Sequence, residues 1–224
     1  MDDNYYDNLK EFCRKEGADL FGVADIDNCK NDFVISAPAL TVLDRAVSIG
    51  VRLSSILLED VALEPSRLYF HHYKTTNTFL DLVALKTSHY IERAGFKALP
   101  VPATQIVDWK KQTAHLSHKK IGVMAGIGWI GRNNLLVNEE LGSRIRLATV
   151  LTDMPLVADK PVENGCGECR ACAAVCPGAA IGEDAAVFSH TKCFEKMREF
   201  QKPRQVEQYV CGVCVNACKG NIRI

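Results

Sequence analysis

The sequence predicts an α+β protein in two parts. A sheet with flanking helices is expected over residues 1–157, and a small cysteine-rich domain over 158–224. Strand-like and helix-like apolar patterns mix through the first part. From Leu156 on, composition shifts to Gly, Ala, Pro and Cys. Eight of the ten cysteines fall between Cys166 and Cys218.

Leu9, Phe12 and Cys13 share one face of a helix expected to end at Gly17. Residues 18–26 form an apolar strand, and RAVSIGVRL (45–53) a second. Phe79, Leu82, Val83, Leu85, Tyr90 and Ile91 repeat with helical spacing, and Gly95 closes that helix. A short strand follows at 97–101. Residues 115–125 read as a helix running into a glycine-rich turn. Strands at 135–137 and 144–152 are expected to pair with each other around 139–143.

The chain has 224 residues, 47% of them hydrophobic, so a core can be buried. Lys+Arg and Asp+Glu are both 27, which argues against a broad electrostatic footprint for nucleic acid. The opening Met1-Asp2-Asp3-Asn4 is acidic, the reverse of a secretory leader. No apolar run is long enough to span a bilayer. The expectation is a soluble, cytoplasmic protein with no membrane partner.

Without a secretory signal, clustered cysteines read as metal ligands before disulfides. Cys166-x2-Cys169-x2-Cys172-x3-Cys176-Pro177 is the bacterial ferredoxin run. Its first three cysteines wrap one 4Fe–4S cubane, and the fourth reaches the other. Cys211-x2-Cys214-x3-Cys218 is a shortened second half that Cys193 can complete. Chain crossing then places Cys166, Cys169, Cys172 and Cys218 on cluster one, and Cys176, Cys193, Cys211 and Cys214 on cluster two. Structural zinc usually shows two separated CxxC pairs instead. Two adjacent cubanes make a path for single electrons. Cys13 is expected in the core, and Cys29 is expected to be a loop thiol.

Gly126-x-Gly128-x-x-Gly131 is a literal GxGxxG, but a dinucleotide site needs a strand before it and a helix after it. Here the expected order is helix, then strand. The alternative is a tight turn that packs Trp129 into the core.

AGIGWIGRNN (125–134), LATVLTDMPL (147–156) and the Cys166 to Cys176 run, in this order, resemble the epoxyqueuosine reductase family. LKEFCRKEGADLFGVADID (9–27) extends the likeness over most of the chain, and lone Cys193 fits its pattern. The family is related to the reductive dehalogenases. The resemblance implies a nitroreductase-like, cobalamin-processing-like sheet joined to a ferredoxin-like double-cluster domain. It implies a cobalamin or other corrinoid between the domains, fed electrons by one cubane and lined by Gly128, Trp129, Ile130, Gly131, Arg132 and Asn133. The expected partners are a low-potential donor of ferredoxin or flavodoxin type and a small-molecule substrate. The alternative is an electron carrier that reduces a protein partner, such as a corrinoid protein.

Two departures from the family are visible. The chain ends at Ile224, before the helical-repeat domain that grips tRNA in the family. The family's acid position falls on Ala103 in LPVPATQIVDW (99–109), so Asp108 would serve only through a local shift. The expectation was therefore against tRNA as partner and against queuosine chemistry. Asp108 beside Trp109 is a candidate general acid, since an apolar neighbour raises a carboxyl pKa. His72 and Tyr73 are candidate proton donors; otherwise they are polar turn residues. His115 and His118, one helical turn apart, lack a visible third ligand and read as a solvated or hydrogen-bonded face. Lys110, Lys111, Lys119 and Lys120 read as a solvated face.

Overall fold

The computed structural model describes residues 4–108, 112–201 and 206–221. Trp109, Lys110 and Lys111, to which expectations were attached, lie outside the described residues. The elements in chain order are α1 (Tyr5–Lys15), β1 (Leu20–Asp25), α2 (Ala37–Leu40), β2 (Arg45–Arg52), α3 (Ser55–Glu59), α4 (Arg67–Arg93), β3 (Ala98–Val101) and α5 (His118–Met124). They continue with β4 (Trp129–Ile130), β5 (Leu136–Val137), β6 (Ile145–Thr152), α6 (Ala171–Ala174), α7 (His190–Phe200) and α8 (Val213–Ala217). Among the described residues, no helix is long and apolar enough to cross a membrane.

The chain forms two compact units. The first holds residues 1–51, 77–127 and 146–162; the second holds 52–76, 128–145 and 163–224. Both are discontinuous in sequence, whereas the expected division was one cut after residue 157.

In the first unit, a four-stranded antiparallel sheet has the order β1-β2-β6-β3. Its central strands, β2 and β6, are buried along nearly their whole length. A strand covered on both faces does not alternate, and buried Ser48 of β2 and Thr149 of β6 interrupt otherwise mostly apolar runs. Val23, Val47, Ile49, Ala148 and Val150 pack with Leu9 and Cys13 of α1 and Leu80, Val83, Ala84 and Ile91 of α4. Cys13 is fully buried, as expected, with its Sγ 3.4 Å from Thr87 Oγ1.

Two sequence expectations need correction. Helix α4 starts at Arg67, so His71, His72 and Tyr73 lie on a helix and not in a turn. Polar Thr76 and Asn77 occupy buried positions of that helix and interrupt its apolar period. Strand β5 pairs with β4, Trp129 opposite Val137, and not with β6. β6 has β2 and β3 as neighbours, so both its edges are occupied.

In the second unit, Leu53, Leu58, Val61, Tyr69, Phe70, Val206, Val210 and Val213 form a separate apolar core. It anchors α8, which carries Cys214.

Candidate metal centre

The cysteines of the second unit come from three stretches of chain. Cys166 and Cys169 lie in a loop, Cys172 on α6 and Cys176 just beyond it. Cys193 lies on α7, whose N-cap Ser189 accepts from the Lys192 amide. Cys211 precedes α8, Cys214 lies on it, and Cys218 follows it.

Electrostatic neighbourhood divides these thiols in two. Burial is the largest cause raising the Cys172 thiol, and Cys218, Cys166 and Cys169 follow as neighbours. Burial likewise raises Cys218, with Cys166 and Cys169 again beside it. Cys211 is pushed up to about 11, chiefly by burial, and its cysteine neighbours are Cys193 and Cys176. Burial is also the first cause raising Cys214, followed by Cys211, Cys193, Cys176 and Cys172. The structure thus brings Cys166, Cys169, Cys172 and Cys218 together, and Cys176, Cys193, Cys211 and Cys214 together. The Cys172–Cys214 influence makes the two sets adjacent.

Among the described residues, no group of three or more His, Cys, Asp or Glu side chains is arranged to hold a single metal ion. Burial opposes ionisation of these thiols, and ligation supplies the opposing positive charge. The donor set therefore fits two cubanes.

Segment 128–145 lies directly on the first set. Trp129 is half-buried, and its Nε1–H donates to Cys166 Sγ at 3.3 Å. This corrects the expectation of an indole packed into the apolar core. A Cβ on Gly131 would stand 3.4 Å from Cys166 Sγ and 2.6 Å from Val137 Cγ2. A Cβ on Gly128 would stand 2.0 Å from Val137 O, so these glycines accommodate β5 and the cysteine loop. Ile130 is half-buried in β4. Arg132 donates through Nη2 to Gly167 O at 2.7 Å, clamping the loop between Cys166 and Cys169. Its Nε is buried with no hydrogen-bond partner.

The Asn133 amide is committed at both ends. Its Nδ2 donates to Ser143 Oγ at 3.0 Å, and its Oδ1 accepts from the Leu135 amide. The Ser143 amide donates to Cys218 O at 3.2 Å, and hydrogen bonding from Ser143 opposes the burial that raises the Cys218 thiol. Arg144, only 3% exposed, donates to Asn216 O at 2.6 Å and Asn216 Oδ1 at 2.9 Å. Cys218 is among the groups that favour its charged form. In the second set, Cys176 Sγ accepts from the Ala180 amide at 3.4 Å. Asn134 Nδ2 lies 3.0 Å from His190 Nε2 on α7. The chain order here is α5, then the β4–β5 hairpin, which is not the strand-then-helix order a dinucleotide fingerprint needs.

His72 is half-buried, and its Nε2 accepts from the Ser54 amide at 2.9 Å. Burial lowers its pKa, so the ring is neutral near pH 7 and its available proton is on Nδ1. Tyr73 packs against the apolar core of the second unit. Asp108 lies in the first unit, exchanging backbone hydrogen bonds with Thr113. His115 precedes α5 and does not share a helical turn with His118. It lies 2.8 Å from Val34 O through Nδ1, while both His118 nitrogens are hydrogen-bonded within the protein.

Sequence reasoning missed the Trp129 donor. The tryptophan in the glycine-rich segment was the available signal, since a half-buried indole N–H needs an acceptor.

No family model matches the chain. It is 43% identical over 75 residues to an epoxyqueuosine reductase of Escherichia coli, covering 34% of this chain and 20% of that protein. It is 28% identical over 174 residues to the Aliivibrio fischeri epoxyqueuosine reductase, covering 70% and 44%. The chain therefore spans less than half the length of these curated relatives. Among solved structures, a reductive dehalogenase described through B12-dependent dehalogenation gives a TM-score of 0.74 at 21% identity, over 94% of this chain and 30% of that one. An epoxyqueuosine reductase bound to an epoxyqueuosine-modified tRNA-Tyr stem loop gives 0.63 at 19%, over 95% and 64%. The structural likenesses are likenesses of fold. The curated relatives that this chain resembles over part of its length are epoxyqueuosine reductases. The tRNA-bound neighbour does not fit the sequence-based expectation against tRNA, which rests on net charge and the position of the last residue.

Proposed function

We propose that this epoxyqueuosine reductase-like chain is an iron–sulfur oxidoreductase. It would pass single electrons through two 4Fe–4S clusters to a corrinoid cofactor and reduce a substrate there. One observation carries the reading: Cys172 and Cys218 have Cys166 and Cys169 as electrostatic neighbours, and Cys211 and Cys214 have Cys193 and Cys176. The described B12 dependence of a dehalogenase that shares the fold supports the corrinoid. The finer architecture proposed is a nitroreductase-like sheet with a ferredoxin-like cysteine domain.

When bound, the clusters supply one-electron steps and the corrinoid a strongly reducing centre. The chain's own residues do the rest. Cys166, Cys169, Cys172 and Cys218 would hold one cluster, and Cys176, Cys193, Cys211 and Cys214 the other. Arg132 holds the Cys166–Cys169 loop in shape. Trp129, Ser143 and the Ala180 amide orient thiolates and stabilise their charge. Gly128, Trp129, Ile130, Gly131 and Arg132 are the proposed corrinoid-lining residues. Asn133 could join them only by breaking its bonds to Ser143 and Leu135. His72 through Nδ1–H, Tyr73 and Asp108 are the proposed proton donors.

The test is anaerobic reconstitution with iron and sulfide, then titration with cobalamin. The expected result is a paired 4Fe–4S signal and a changed cobalt EPR signal. Loaded clusters with no cobalamin response would refute the corrinoid and leave an electron carrier. Substrate trials would include an epoxyqueuosine-modified stem loop and small molecules.

A further inference from the structure

Segment 128–145 carries polar side chains aimed at sulfur and not at solvent. Trp129 Nε1–H points at Cys166 Sγ, 3.3 Å away. Ser143, only 2% exposed, accepts from Asn133 Nδ2 at 3.0 Å, its amide donates to Cys218 O at 3.2 Å, and its hydrogen bonding opposes the burial that raises the Cys218 thiol. These two cysteines are the sequence extremes of one set of four. The Gly165 backbone also packs closely on the indole, since a Cβ there would stand 2.7 Å from Trp129 Cη2. A donor held this firmly costs no reorganisation when charge arrives.

We propose that Trp129 and the Asn133–Ser143 pair set the reduction potential of the cluster held by Cys166, Cys169, Cys172 and Cys218. They are positioning residues for electron transfer, acting through the ligand sulfurs. The inference rests on the cluster reading above. Gain of one electron, delivered by a low-potential donor, increases negative charge on the four thiolates. N–H and O–H donors stabilise that added charge and raise the potential. The second cluster, held by other cysteines, is the internal reference.

The experiment is an EPR-monitored potentiometric titration of the loaded full chain, for wild type, Trp129→Phe and Ser143→Ala. Trp129→Phe keeps an aromatic ring and removes the donor. Each variant should shift one of the two centres to more negative potential and leave the other in place. At a fixed poise, a tenfold fall in the reduced-to-oxidised ratio of that centre corresponds to 59 mV. Two loaded centres with unchanged potentials in both variants would overturn the inference while leaving the cluster reading intact. A wild type that loads no pair of 4Fe–4S centres would overturn the cluster reading itself. If a variant fails to load, wild type labelled with 15N-indole tryptophan decides. Pulsed EPR of the reduced protein should show 15N coupling, and its absence sinks the proposal.

Discussion

Gly142 lies so close to Cys218 that a Cβ at 142 would stand 2.0 Å from the Cys218 carbonyl oxygen. The same glycine has φ +60°, and the adjacent Ser143 amide donates to Cys218 O at 3.2 Å. The turn between β5 and β6 therefore sets the path of the chain through a cluster ligand. Gly142→Ala must displace backbone and adopt a left-handed conformation, at a cost of roughly 1–3 kcal/mol. The expected outcome is loss of cluster one. Metal analysis should fall from about eight irons per chain toward about four.

Cys193 has no CxxC partner of its own, yet it neighbours Cys211 and Cys214. Cys193→Ala should remove or convert cluster two and spare cluster one, so that one of the two EPR signals disappears. About eight irons per chain in that variant would contradict the assignment. Cys29→Ala, outside both sets, should keep both signals.

His118 makes the fold sensitive to acid. Burial is the main cause lowering its pKa from 6.5 to about 4. Its Nδ1 lies 2.7 Å from Thr149 Oγ1 and its Nε2 lies 2.9 Å from Pro102 O. The unfolded state therefore binds the proton more tightly between those values. The stability from this group is present above pH 6.5 and is lost as pH falls toward 4. His118→Leu should flatten that limb in thermal midpoints followed by circular dichroism. At neutral pH it should cost about 1–3 kcal/mol, because Pro102 O and Thr149 Oγ1 lose their partner.

The alkaline limb has a different origin. Tyr6 donates to the Asp159 carboxylate at 3.0–3.1 Å, and Asp159 Oδ2 also accepts from the Val23 amide at 2.8 Å. Burial first, then Asp159, pushes the phenol from 10.0 up to about 12. The native state holds the proton more tightly, so this stability is full below pH 10 and is lost as pH rises toward 12. Tyr6→Phe should lower stability at neutral pH by about 1.5 kcal/mol. It should also remove the extra loss above pH 10 in urea titrations.

The sequence by itself determined much of the first unit. Leu9 and Cys13 mark the buried face of α1. The mostly apolar runs at β2 and β6, without strict alternation, mark strands covered on both faces. Local pattern suffices there, because period and burial coincide. The spacing of the cysteines also limited how eight thiols can be shared, since three at two-residue intervals wrap one body and the next points away.

What only the tertiary structure decided depends on contacts between distant residues. Strand β5 is two residues long, and its partner was a choice between β4 and β6 that side-chain alternation cannot make. The start of α4 was hidden because buried Thr76 and Asn77 are polar; Asn77 joins Arg146 Nε at 2.8 Å and Thr104 Oγ1 at 2.9 Å. The destination of the Trp129 proton was invisible for the same reason. An indole in a glycine-rich segment announces a close approach, but its acceptor lies 37 residues along the chain at Cys166. Composition and periodicity report what a residue needs, and folding selects which remote atom supplies it.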